Sequence, residues 1–273
     1  MIIKTLAENT TVSQEYGSEH GLSLYLELKN HKILFDTGAS DLFLKNAEKL
    51  EVNIADIDLL VISHGHNDHG GGLNTFLQAN SAANVYLNEQ AFNQHYALRK
   101  TGNYESIGID EKLQRNDRFI FTSDQYFIAE GIWLFSNIMP KVPQPKSNSD
   151  LFTENDGQIV ADNFRHEQNL VVEEDGKTLL ITGCAHNGII NILEHFCALT
   201  GRMPDYLIGG FHLSSPSGGR EDAETIERIG EYLLKTKAKT YTCHCTGTAA
   251  YETLKSIMGD SVDYLATGSK III

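Results

Sequence analysis

The sequence predicts an α/β fold in which β-sheets are covered on the outside by helices. Strand pairs come first, at Leu22–Leu28 and Lys32–Asp36. Strands then alternate with helices through the last third. Short apolar runs such as Leu59-Leu60-Val61-Ile62 have the length and composition of buried strands. The 273 residues read as a single domain spanning 1–273, with a variable insertion at about 100–165.

Each element has a local reason. Met1–Glu8 is too short in apolar residues for a signal peptide and reads as a strand. Leu22–Leu28 alternates apolar and polar, turns at Asn30-His31 and returns as Lys32–Asp36. Thr37–Ser40 ends that strand, and Ser40 can cap a helix starting at Asp41 with Phe43, Ala47 and Leu50 inward. Gly70-Gly71-Gly72 lets the chain turn sharply into a helix at Leu73–Ala79. Asn84–Leu87 reads as a strand and Glu89–Leu98 as a helix.

From about 100 to 165 the pattern weakens to short β signals at 119–121, 126–128 and 132–135. Pro140, Pro143 and Pro145 then mark an irregular loop, which reads as part of an insertion over the site. Asn169–Glu174 and Lys177–Thr182 form a hairpin across Asp175-Gly176. A helix with Ile189, Ile192, Leu193 and Phe196 on one face precedes a strand at Asp205–Ile208. A helix at Glu221–Lys237, a strand at Lys239–Thr242 and a helix at Thr248–Ile257 complete the chain.

Composition narrows the partners. Hydrophobic residues make up 41% and charged residues 21%, enough for a sizeable core. A formal net charge of −14 repels nucleic acid and anionic membrane, which leaves a small-molecule substrate as the expected partner. No run of about 18 apolar residues exists to span a bilayer. Cys184, Cys197, Cys243 and Cys245 form no disulfide framework, so a reducing cytoplasm is the expected location. Cys197 reads as plain core on a helix face.

The chemistry concentrates in Ser63-His64-Gly65-His66-Asn67-Asp68-His69-Gly70, directly after the apolar run 59–62. His64 and His66, two apart, can face one ion, while Asp68 and His69 reach a second past the turn. Imidazole and carboxylate suit zinc first, with manganese or iron as alternatives. Two divalent ions about 3.5–4 Å apart form a clamp for hydrolysis. A merely polar loop is the competing reading, but so many packed imidazoles and a carboxylate need a cation. Three later strands also end in histidine-bearing turns: Thr182–His186, Gly209–His212 and Thr242–Cys245. Side chains converging from strand ends onto one edge build sites.

The run 64–70 fits without a break the His-x-His-x-Asp-His pattern of the metallo-β-lactamase-fold superfamily, which the chain therefore resembles. Leu34-Phe35-Asp36-Thr37-Gly38 is similar to the turn whose carboxylate buttresses the metal loop. Glu19-His20-Gly21-Leu22-Ser23, Thr182–His186, Gly209–Leu213 and Cys243–Gly247 resemble the group named for dihydropterin-ribofuranosylaminobenzene-phosphate synthase. The resemblance covers nearly everything but the middle segment. It implies an αββα sandwich, two mixed β-sheets flanked by helices, with two ions at one edge.

On that resemblance His186 is the third histidine of the first ion, with His166 the lesser candidate, and His244 serves the second ion. Cys184 stands where relatives often carry a bridging aspartate; it is either a thiolate ligand or a small buried residue. His212 is a ligand or a substrate contact, and His20 a substrate contact or proton carrier. Asp68 would bind the second ion and orient the nucleophile, making Asp68, His212 and His20 the catalytic candidates. Asp36 would hydrogen-bond a ligand. His244 between two cysteines could alternatively form a separate zinc knuckle; Cys243 reads as core, and Cys245 as either core or site. His31, His95 and His195 read as solvent-facing, and Lys141, Lys146 and Arg220 as cations near the mouth. The expected activity is metal-dependent hydrolysis, or a related transfer, on a small phosphate, ester or carboxylate, with a pterin-linked phosphate suggested by the group's name. A di-iron redox enzyme and a non-catalytic metal sensor are the alternatives.

Overall fold

The computed structural model describes residues 1–215 and 219–273. In chain order it forms β1 (Ile2–Ala7), β2 (Ser23–Glu27), β3 (Lys32–Phe35), α1 (Leu42–Lys49), β4 (Leu59–Val61), α2 (Asn67–Gly70), α3 (Leu73–Ala79) and β5 (Asn84–Asn88). The middle contributes β6 (His95–Leu98), β7 (Tyr104–Ser106), β8 (Phe119–Thr122), β9 (Gln125–Ala129), β10 (Ile132–Phe135), β11 (Leu151–Asn155) and β12 (Gln158–Ala161). The last part adds β13 (Asn169–Glu174), β14 (Lys177–Ile181), α4 (Ile189–Thr200), β15 (Tyr206–Gly209), α5 (Ala223–Thr236), β16 (Lys239–Thr242), α6 (Thr248–Met258), β17 (Val262–Tyr264) and β18 (Lys270–Ile272).

Two seven-stranded mixed sheets result, ordered β18-β1-β2-β3-β4-β5-β8 and β17-β16-β15-β14-β13-β10-β9. Strand alternation shows why they stack. In β4, Leu59 and Val61 enter the cluster between the sheets, whereas Leu60 and the following Ile62 pack outward with Phe43, Ala47, Leu73 and Phe76 of α1 and α3. In β14, Leu179 and Ile181 face the first sheet, while Leu180 packs with Ile192, Leu193, Ile229, Leu233 and Leu254 of α4, α5 and α6. Helices therefore cover both outer faces, giving the αββα sandwich.

The topology also sets the edge at which chemistry gathers. β3, β4 and β5 run parallel in one sheet, and β14, β15 and β16 run parallel in the other. Their carboxyl ends open onto a common edge. Among the described residues no helix is long and apolar enough to cross a membrane.

Two expectations are corrected. Glu89–Leu98 is not a helix: Asn88 Oδ1 accepts from Gln90 N, the chain turns, and β6 pairs with β11 and β7. Ala91 and Phe92 supplied the misleading apolar spacing and are buried under the first sheet. Cys197 is half-buried rather than core. The segment 100–165 divides between roles. β8, β9 and β10 complete the main sheets, whereas β7, β11 and β12 join β6 in a separate four-stranded sheet.

Candidate metal centre

Buried carboxylates grip the turns that follow these strands. Asp36, just after β3, accepts from Ser63 N at 2.6 Å, Ser63 Oγ at 2.7 Å and His69 Nδ1 at 2.6 Å, which fixes the turn after β4. Glu167 accepts from His186 N at 2.6 Å and from Asn187 N at 3.0 Å, holding the turn after β14. Glu8, after β1, accepts from His244 N at 2.6 Å and from the Tyr264 hydroxyl at 2.7 Å, holding the turn after β16. Asp36, Ala185, His212 and His244 all have left-handed backbone, with φ of 61°, 55°, 47° and 51°. Such residues are uncommon outside glycine, and here all four stand in the turns after β3, β14, β15 and β16.

The turns bring two groups of ligand atoms together. His64 Nε2 lies 3.1 Å from His66 Nδ1 and 3.3 Å from His186 Nε2. His69 Nε2 lies 3.2 Å from His244 Nε2 and 3.1 Å from Cys184 Sγ, and Asp68 Oδ2 is 3.3 Å from His244 Nε2. Two ligands of a tetrahedral ion, each about 2.0–2.1 Å from it, stand about 3.3 Å apart. Both groups have that spacing.

Proton bookkeeping tests the fit further. His69 Nδ1 must carry the proton, because its partner is the Asp36 carboxylate. His244 Nδ1 must carry it too: its partner at 2.8 Å is Asn9 Oδ1, which also accepts from Gly21 N. Burial would lower His69, but the Asp36 and Asp68 carboxylates outweigh it and raise it above the ordinary histidine range, so a cation would have to displace a proton there. With both rings neutral, the two Nε2 atoms that face each other are both lone pairs. The same holds in the other group. The Ser63 hydroxyl donates to Asp36, so Ser63 Oγ accepts from His64 Nδ1 at 2.9 Å. Asn148 donates its amide to His186 O and accepts from His186 Nδ1 at 3.0 Å. Lone pairs held face to face in a dry site repel unless a cation lies between them. Burial first, then the neighbouring imidazoles, push His64 and His186 well below the ordinary histidine range. Burial would raise Asp68, but His69, His20 and His244 outweigh it and hold the carboxyl well below its usual range. Neutral imidazoles and an ionised carboxylate are the forms that bind a divalent ion.

The other site candidates surround a cavity of about 140 Å³. His20 Nε2 is 3.2 Å from Asp68 Oδ2, at the exposed rim. His212 is buried, its ring centroid 4.2 Å from that of His186, and neither ring nitrogen has a hydrogen-bond partner among the described residues. Its backbone N donates to Cys245 Sγ at 3.2 Å. Cys184 and Cys245 both line the cavity; Cys243 packs between the sheets. Burial pushes the Cys184 thiol up.

Several expectations change. His166 does not join the ligand groups: its Nδ1 accepts from Gly65 N at 2.9 Å and its Nε2 faces Asp162. His95 is buried, with Nδ1 3.0 Å from Asp162, not solvent-facing. His195 is half-buried and stacks on Phe135 at 5.7 Å. Lys141 and Lys146 pair with Glu194 and Asp222 away from the cavity, while Arg99, from β6's turn, lines it. Residues 216–218 of the loop after His212 lie outside the described residues; Arg220 is exposed at its end. The sequence reading missed Glu8, Glu167, Asn9 and Asn148. Their only signal was polarity beside an apolar run, as in Glu8-Asn9 after β1.

Residues 17–229 match the family model of the metallo-beta-lactamase superfamily. An uncharacterised protein of Methanocaldococcus jannaschii is 30% identical over 262 residues, covering 94% of both chains. The 7,8-dihydropterin-6-methyl-4-(beta-D-ribofuranosyl)-aminobenzene-5'-phosphate synthase of the same organism is 28% identical over 265 residues, covering 91% of this chain and 88% of its own. The crystal structure of Tm1679, a metal-dependent hydrolase of the beta-lactamase superfamily, superposes with a TM-score of 0.84 at 31% identity, covering 100% of this chain and 99% of that one.

Proposed function

The chain belongs to the metallo-beta-lactamase superfamily, and on that premise we propose that it is a metal-dependent hydrolase, or a metal-assisted transferase, holding two divalent ions. The observation that carries the reading is the pair of buried ring nitrogens, His69 Nε2 and His244 Nε2, 3.2 Å apart and beside Cys184 Sγ and Asp68 Oδ2. His64, His66 and His186 hold the first ion; Asp68, His69, His244 and the Cys184 thiolate hold the second. A soft thiolate among these donors favours zinc over manganese or iron.

Bound ions supply Lewis acidity and lower the pKa of a water to about 7. The chain's own residues do the rest. Asp68 accepts from His20 at the rim, so His20 can carry a proton between the site and solvent. His212 sets its ring beside His186 and can donate to an anionic group or a leaving oxygen. Arg99, paired with Glu105 at 2.6 Å, lies in the wall of the cavity in a protein of net charge −14, and a small substrate bearing phosphate, ester or carboxylate would compete for it. Similarity to a dihydropterin phosphate synthase supports a pterin-related substrate and keeps transfer beside hydrolysis. The four free cysteines suit the cytoplasm.

The test is metal quantification of the purified chain, followed by a panel of phosphodiesters, esters and pterin phosphates. Two ions per chain and turnover that disappears in both His69→Ala and His244→Ala are expected. A chain that takes up no ion sinks the reading; two ions without turnover on any substrate class would leave a metal-containing sensor.

A further inference from the structure

Each ligand histidine but one has its far nitrogen oriented by a protein group: His64 by Ser63, His69 by Asp36, His186 by Asn148 and His244 by Asn9. The exception is His66, whose Nε2 is buried without a partner. Metal-ligating histidines almost always donate that second N–H, because it fixes ring and tautomer.

The nearest candidates form a second buried cluster. His66, His95, Asp162 and His166 each offer a ligand-capable atom within 4.8 Å of the others. The His66 and His95 rings lie edge to face at 5.5 Å, and His95 Nε2 is likewise buried without a partner. Asp162 Oδ2 is 3.0 Å from His95 Nδ1 and 3.2 Å from His166 Nε2, while its Oδ1 accepts from Phe164 N at 2.7 Å.

A third ion is the obvious reading of such a cluster, and the protons exclude it. His166 Nδ1 accepts from Gly65 N, so a neutral His166 carries its proton on Nε2 and cannot ligate there. With Nδ1 on the first ion, His66 carries its proton on Nε2 as well. Two of the four candidate atoms are then N–H donors. The same inventory leaves His95 with its proton toward Asp162 and a lone pair on Nε2, which is what the His66 N–H requires.

We infer that His95, Asp162 and His166 are positioning residues that orient His66: a chain of hydrogen bonds runs from Gly65 N through His166 and Asp162 to His95, and the free His95 Nε2 is the acceptor that the His66 Nε2–H takes up when the first ion binds Nδ1. The chain ends against a separate surface cavity lined by His95, Asp162 and His166, on a different wall from the substrate cavity. It fixes the residues on both sides of Gly65: one end holds Gly65's backbone, the other His66's ring. This rests on the first ion being held by His64, His66 and His186.

The experiment measures zinc stoichiometry and affinity by chelator competition in wild type, His95→Leu, His95→Gln and Asp162→Asn. Circular dichroism checks folding, and cobalt substitution reports the Cys184 thiolate by its charge-transfer band. Wild type should hold two ions. His95→Leu and Asp162→Asn should weaken one ion about 10–100-fold with the thiolate band unchanged. His95→Gln, whose amide can both donate to Asp162 and accept from His66, should restore most of the affinity. If His95→Leu fails to fold, the contrast between Asp162→Asn and His95→Gln decides. Unchanged affinity in a wild type holding two ions, equal losses at both ions, or three wild-type ions falling to two in the His95 variants would overturn the inference alone. A wild type that holds no ion would overturn the two-ion reading and this inference with it.

Discussion

Asp36 Oδ2 stands 2.6 Å from His69 Nδ1, and neither side chain reaches solvent. The same carboxylate accepts two donors from Ser63, so one residue at the end of β3 sets both the backbone of the 63–69 turn and the tautomer of His69. Asp36→Asn should keep the left-handed backbone, which asparagine tolerates, but cannot accept from all three donors. The expected result is a loss of about 10–100-fold in affinity for the ion at His69, read by chelator competition. Affinity within twofold of wild type would remove Asp36 from this role.

The third histidine of the first ion can be settled by stoichiometry. His186 Nε2 is within 3.3 Å of His64 Nε2, whereas His166 is tied to Gly65 and Asp162. At saturating zinc, His186→Ala should hold one ion per chain, and His166→Gln should still hold two, only more weakly. The reverse pattern would exchange their assignments.

The cysteines separate by the same logic. Cys184 Sγ faces His69 Nε2 at 3.1 Å, while Cys245 Sγ accepts from His212 N. Cobalt-substituted Cys184→Ser should lose the thiolate charge-transfer band, and Cys245→Ser should keep it. A band that survives in Cys184→Ser would make Cys184 only a buried neighbour.

What could be read beforehand was what repeats or alternates. Leu59-Leu60-Val61-Ile62 announced a buried strand, and the spacing of His64, His66, Asp68 and His69 announced a cluster of candidate ligands, because both patterns are local. His186 and His244 were found because each follows a glycine- or cysteine-marked strand end. Glu8, 236 positions from the His244 it clamps, had no local pattern to betray it. His95 was misread because its neighbours in sequence are polar, whereas its neighbours in space are Asp162 and His166, brought by β6 pairing with β11. Long-range pairing decides such residues, and periodicity does not report it.

His95 also sets a pH dependence. Burial, followed by the nearby His166, lowers its pKa from 6.5 to about 4. Below 6.5 the unfolded chain takes up a proton that the folded chain refuses, so stability is fully present above about pH 6.5 and is lost as pH falls toward 4. For a buried group the loss across that window is on the order of 2–3 kcal/mol. Urea unfolding of metal-free protein at several pH values should show it, and His95→Gln should flatten the slope. Equal slopes in both proteins would show that His95 titrates normally.

Gly65 carries the last test, because it sits between His64 and His66 and has no room for a side chain. An added Cβ would collide with the Ala91 carbonyl oxygen and stand 2.7 Å from His95 Nε2. The first of these is backbone and cannot swing away, so the strand end itself must shift and His64 and His66 must separate. Gly65→Ala should therefore cost about 1–3 kcal/mol in stability and weaken the first ion in the same variant. Gly108, which forms an isolated bridge to His66 just beyond β7, is the control: there a Cβ would meet nothing closer than 3.6 Å. Gly108→Ala should leave both stability and ion affinity near wild type. If Gly65→Ala binds two ions with wild-type affinity, the spacing of His64 and His66 does not depend on the close approach of the Ala91 and His95 segment.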